Sequence, residues 1–147
     1  MTTDASEAIR TLRSLCTALA ADHVEAPKIA AGLGEIKEDM GESMPLFVKP
    51  SDHSFAQAQV VRVYGSNDVN HVLFDLAPGD LRLRALEEAF GAYTPEPVLQ
   101  AGRRQAATFS VKSGREYESR ILAEVDGNIK NDAHVLRITV TRDPRLD

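Results

Sequence analysis

ATFSVKSGREYESRILAEV, the sequence of residues 107–125, alternates apolar and polar residues on both sides of a short turn at Ser-Gly-Arg. Phe109 and Val111 share one side of the first half, and residues 117–125 repeat the pattern with Leu122 as an apolar exception on the polar side. Successive side chains of a strand point to opposite faces of its sheet. The alternation therefore predicts antiparallel strands with one buried and one solvated face.

Further strands are predicted on both sides of this stretch. Residues 136–140 alternate in the same way and indicate a last strand. Residues 59–64 and 69–76 are strand-like and flank Gly-Ser-Asn-Asp, a good loop for a β-hairpin. The sequence thus favours an antiparallel sheet built from a β-hairpin and a three-stranded meander.

APGDLRLRALEEAFG, residues 77–91, predicts a helix that crosses between these two groups of strands. Asp80 is placed to cap the first turn, because a carboxylate there can accept a backbone N–H. Leu83, Leu86 and Phe90 form one apolar stripe, and Gly91 can take the left-handed conformation that ends a helix. All of these features are explained by folding alone.

The first 41 residues carry two helical patterns instead of strand patterns. Each pattern has apolar residues spaced by three or four positions, which is typical of one buried helix face. Ser6 is a plausible N-cap of the first helix, and Pro27 suits the first turn of the second. The stripes are Ile9, Leu12, Cys16 and Leu19 in the first helix and Ile29, Leu33, Ile36 and Met40 in the second. Gly32 and Gly34 weaken the second helix, so that a bend or an early end is an alternative there.

Together these elements predict a single α+β domain over residues 1–147. Residues 1–41 form a helical hairpin, or arm, and residues 56–147 form the antiparallel sheet with one packed helix. The helix that ends in Phe-Gly and leads into a meander resembles the architecture of several small bacterial binding folds, including secretion-chaperone and immunity-type proteins. No motif of a known family occurs, and because one fold hosts many functions the resemblance assigns no role to any residue.

Composition and charge exclude several classes of function. The chain carries 22 acidic and 17 basic residues, for a net charge of −5, which argues against nucleic-acid binding. No apolar run approaches the roughly 20 residues that a membrane helix needs. The N-terminus lacks the apolar core of a signal peptide, and the single cysteine excludes an internal disulfide. We therefore expect a cytoplasmic protein without a membrane partner.

Reactive residues do not form a recognisable motif. The four histidines and Cys16 lack zinc-ligand spacing, and neither a dinucleotide fingerprint nor a phosphate loop occurs, so no metal or cofactor is predicted. His134 lies in phase with the apolar residues of the last strand. An alternative function is therefore a small-ligand site or a small enzyme, with a pocket between the third helix and the sheet at His134, assisted by Tyr117 or Asp75.

The leading prediction is a non-catalytic protein-interaction module of the adaptor, chaperone-like or immunity type. Two surfaces are candidates for contact with a protein partner or with a second copy in a homodimer. One is the helical arm, if its stripe of Ile9, Leu12, Cys16 and Leu19 does not pack on the domain's own sheet. The other is the solvated sheet face, where Arg120 and Arg137 lie among acidic residues.

Overall fold

The structure is a computed structural model that describes residues 3–39, 41, 44–77, 79, 81–96, 104–112, 114 and 116–144. Its helices are α1 (Thr3–Leu19), α2 (Ala26–Leu33) and α3 (Leu83–Phe90). Its strands are β1 (Gly34–Asp39), β2 (Leu46–Pro50), β3 (Phe55–Arg62), β4 (Val69–Leu76), β5 (Thr94–Pro95), β6 (Ala106–Val111), β7 (Tyr117–Val125) and β8 (Val135–Pro144). None of the helices in these ranges is long and apolar enough to cross a membrane.

All eight strands form one antiparallel sheet in the order β1-β2-β3-β4-β8-β7-β6-β5. The predicted α+β class with an antiparallel sheet is confirmed, and the sheet is larger than predicted. Strands β4 and β8 meet at its centre. Each half of the sheet therefore consists of four consecutive strands preceded by a helix, α2 in one half and α3 in the other.

The core lies between one face of the sheet and the helices. Every second residue of the central strands faces this layer, and the strand pairing aligns these residues in rows across the sheet. One such row is Leu46, Val60, Val72, Val140, Ile121 and Phe109, all of them fully buried. Helix α1 packs over β7 and α3, whereas α2 packs over β1, β2 and β3.

The second helix is shorter than the sequence predicted. It ends at Leu33, and the chain continues as edge strand β1, which pairs with β2. Gly34 marks the change because a Cβ atom there would collide with the Lys49 carbonyl oxygen. Ile36 therefore lies in a strand, with 38% of its surface exposed, and Met40 is outside the described residues. The predicted stripe is therefore wrong at Ile36, and the helix ends early, which is the alternative that Gly32 and Gly34 leave open.

The other helix starts also differ from prediction. Helix α1 begins at Thr3, before the predicted cap at Ser6. Helix α3 begins only at Leu83, because the backbone of Leu81 and Arg82 pairs with the start of β8. The predicted cap Asp80 lies outside the described residues. At the other end Gly91 follows the helix as predicted and has a positive φ of 94°, although its ψ of −172° is extended and not left-handed helical.

Arg142 of β8 closes the C-terminal end of α1. The last turn of α1 has no basic residue, although a helix C-terminus favours positive charge. The Arg142 guanidinium supplies this positive charge. It donates hydrogen bonds to the carbonyl oxygens of Leu19 at 2.9 Å, Asp22 at 2.8 Å and Ala21. The same group stacks 3.6 Å from the ring centre of Tyr117. Arg142 therefore joins α1 to the sheet through hydrogen bonds and a cation–π contact.

Candidate functional site

A groove of about 1000 Å³ separates α1 from α2 on the helix-covered side of the sheet. The two helices pack over different strands, so their facing sides are left apart. Ser14 and Ala18 line the groove from α1, and Ile29, Gly32 and Leu33 line it from α2. Small side chains at Ser14, Ala18 and Gly32 keep the groove open, and a Cβ added at Gly32 would meet nothing within 4 Å. We call this feature the α1–α2 groove.

Asp52 fixes one end of the α1–α2 groove. Its carboxylate accepts a 2.6 Å hydrogen bond from the Thr11 hydroxyl of α1 and a 2.8 Å bond from the Ser54 backbone N–H. Only 7% of the Asp52 surface is exposed. A buried carboxylate needs such donors to offset lost hydration. Asp52 therefore connects α1 to the turn between β2 and β3, and both of its carboxylate oxygens accept hydrogen bonds from the protein itself.

Apolar and charged groups are segregated within the groove. Leu15 and Val24 are buried at its floor, while Ile29 and Leu33 are half-buried along the α2 side. Charged residues of both signs line it nearer the solvent: Glu7, Arg10, Glu25, Lys28 and Asp68. Such a surface suits a ligand that presents one apolar face between flanks that carry both signs of charge.

The predicted interaction stripe of α1 lies inside the domain. Leu12, Cys16 and Leu19 are buried in the core, and Ile9 is partly buried against it. The condition for an outward-docking arm is therefore not met, because the stripe packs on the chain's own sheet. Burial raises the pKa of the Cys16 thiol, and a hydrogen bond with Ser119 opposes this effect in part. Such a thiol is a poor nucleophile.

Arg120 and Arg137 lie on the opposite side of the sheet, which we call the open face. None of the described helices packs there. Arg137 pairs with Asp75 at 2.9 Å across β8 and β4, and Arg120 is exposed on β7. His71 lies on the same face, where partial burial lowers its pKa. The structure therefore places both predicted arginines on one accessible surface.

The three residues of the predicted pocket are not brought together. Asp75 is paired with Arg137, and Tyr117 lies under the Arg142 guanidinium. Fully buried Leu86 and Phe109 pack in the layer between α3 and the sheet, where the pocket was expected. His134 instead lines a separate cavity of about 400 Å³, together with His53, Ser54 and Asp126, at the end of the sheet near the start of β8.

The residues that shape the α1–α2 groove have little signature in the sequence. Thr11 and Asp52 are 41 positions apart, so their contact depends on the tertiary fold. Within the described part of the chain, no three His, Cys, Asp or Glu side chains come together as a possible metal site. Comparisons with protein-family models, with curated proteins and with solved structures find no match to this chain.

Proposed function

We propose that this protein is a non-catalytic protein-interaction module that holds an amphipathic helix of a partner protein in the α1–α2 groove. The observation that carries the proposal is the groove itself, a space of about 1000 Å³ with an apolar floor between two helices. In this proposal the α1–α2 groove takes the place of the outward-facing helical arm that the sequence predicted, because the two helices form a cleft and not an exposed apolar stripe.

The dimensions of the groove support a helical ligand. Along α1 the lining runs from Glu7 to Ala18. At about 1.5 Å per residue this is about 17 Å, or about three turns of a bound helix. A partner helix with apolar residues at every third or fourth position would bury them over Leu15 and Val24. Its polar flanks would lie beside Arg10 and Lys28 and their acidic neighbours.

The state of the reactive groups supports a binding role over catalysis. Asp52, the buried acid of the groove, is held by two hydrogen bonds from Thr11 and Ser54. Cys16 is buried with a raised pKa and does not line the groove. Catalysis usually needs a base beside a nucleophile, or a metal, held in a cleft. The groove is lined mainly by small, aliphatic and charged side chains. It also holds His23, Ser14 and Ser51, but among the described residues no hydrogen bond joins His23 to either serine.

Photo-crosslinking in the cells that make the protein tests this proposal. A photoreactive amino acid replaces Ser14, which lines the groove, or Thr17, which is exposed on α1 outside it. We expect Ser14 to give a discrete protein adduct and Thr17 to give none. Mass spectrometry should map the adduct to a segment whose apolar residues recur every three or four positions. Equal adducts from both positions would contradict the proposal.

A small-ligand site is the second candidate, and the cavity beside His134 favours it. The cavity holds about 400 Å³, within the range of small-molecule sites, and brings His53, His134 and Asp126 to one space. Histidines in such a space could donate to or accept from a polar ligand. This function becomes the better proposal if Ser14 yields no protein adduct and a small molecule shifts the NMR signals of both histidines.

A further inference from the structure

The open face carries a row of uncharged side chains across six strands. Strand pairing aligns its members directly opposite one another, and all of them are half-buried. None of the described helices covers them. We call this set the neutral row: Phe47, Gln59, Leu73, Thr139, Leu122 and Thr108.

Two rows of opposite net charge flank the neutral row. On one side, Asp75, Arg137 and Glu124 pair across β4, β8 and β7, and two acids with one arginine leave a net charge of −1. On the other side, His71, Thr141 and Arg120 pair across the same strands, with a net charge of +1 when His71 is neutral. The two rows that border the neutral row therefore carry opposite net charge, whereas Glu118 and Asp143 pair in the next row beyond Arg120 and Thr141.

We propose that a second copy of this chain docks face to face on the open face, with the twofold axis along the neutral row. A rotation about this axis places each strand opposite the same strand of the second copy. It also places the row of net charge −1 opposite the row of net charge +1. Glu124 of one copy then faces Arg120 of the other, because both residues lie on β7 at equal distances from Leu122. The neutral row packs on itself, so Leu73 and Leu122 become buried.

The charge pattern favours a second copy over an unrelated partner. In an isologous interface each patch must complement itself, and here the twofold rotation pairs the acidic row with the basic row without any further assumption. Two sheets packed in this way keep their strands nearly aligned, which is one of the two established arrangements of stacked sheets. Arg120 and Arg137, the predicted binding residues of this face, lie in the two exchanged rows.

The open face is large enough for a stable dimer. Eight strands span seven spacings of about 4.8 Å, or about 34 Å, and seven residues of strand cover about 23 Å. The product is about 800 Å² for each copy, which matches the surface that each partner of a standard specific interface buries. The α1–α2 groove lies on the opposite side of the sheet, so the dimer leaves it accessible.

Sedimentation of charge-reversed variants tests the twofold arrangement. The wild type should dimerise reversibly between about 1 and 100 µM. Arg120→Glu leaves an acid at both of the exchanged positions, 120 and 124, and Glu124→Arg leaves an arginine at both. Each variant alone should dimerise at least about tenfold more weakly, because like charges then face each other across the axis. Circular dichroism verifies that both variants remain folded.

Mixing the two variants gives the decisive result. The Arg120→Glu copy then faces the Glu124→Arg copy with opposite charges at both contacts, so a heterodimer about as tight as the wild-type dimer is expected. Effects within one chain cannot produce this recovery, since neither copy changes on mixing. A wild type that stays monomeric at about 100 µM, or variants that do not associate when mixed, would overturn the proposal.

Discussion

The Leu12→Ala variant is expected to lose about 3–5 kcal/mol of the free energy of unfolding. Leu12 has no exposed surface and lies in the core shared by α1 and the sheet. Removing its side chain leaves a cavity that a well-packed layer fills only in part. Because a domain is usually stable by 5–15 kcal/mol, the variant should be close to unfolding at 37 °C.

Urea denaturation followed by circular dichroism measures this loss. Ser14→Ala is the matched control, because Ser14 is exposed on the same helix and alanine favours a helix. We expect the control to stay within about 0.5 kcal/mol of the wild type. A loss below about 1 kcal/mol for Leu12→Ala would mean that α1 is a dispensable arm and not part of the core.

The Arg142→Ala variant is expected to lose about 2–4 kcal/mol. The change removes charged hydrogen bonds to the carbonyl oxygens of Leu19, Ala21 and Asp22, together with the cation–π contact to Tyr117. Leu19 is the last residue of α1 and Ala21 and Asp22 follow it closely, while the last turn of α1 has no basic residue of its own. Thermal unfolding should show the loss as a lower midpoint temperature.

Two further variants serve as comparisons for Arg142→Ala. Arg142→Lys keeps the charge but lacks the planar fork that reaches several carbonyl groups, so an intermediate loss is expected. Arg104→Ala removes an exposed arginine two residues before β6 and should change stability by less than about 0.5 kcal/mol. Equal losses from Arg142→Ala and Arg104→Ala would show that Arg142 does not hold α1.

The central strands could be predicted because their local pattern agrees with their tertiary environment. In β7, Ile121, Ala123 and Val125 are buried as the alternation predicts. Strand β1 could not be predicted in this way. Its sequence GEIKED is mostly charged because it forms an exposed edge, where charges prevent pairing with other chains. The reason why α2 stops, the close approach of Gly34 to β2, involves residues that are distant in sequence.

The candidate site was less predictable than the fold. The stripe of α1 has the same spacing whether it packs on its own sheet or on a partner, so the sequence alone leaves both possibilities open. The α1–α2 groove depends on the separation between two helices, which no local pattern encodes. Tyr117 illustrates the same limit. Its contact with Arg142 follows from the register of β7 with β8 rather than from neighbours along the chain.

The most direct test of the interaction module is the affinity of the crosslinked partner segment, made as a synthetic peptide, for two tryptophan variants. Ala18→Trp places a large side chain in the α1–α2 groove, whereas Thr17→Trp places it on the exposed side of the same helix. We predict that Ala18→Trp weakens binding at least about tenfold and that Thr17→Trp binds like the wild type. Equal affinity of the peptide for both variants would contradict the proposed function.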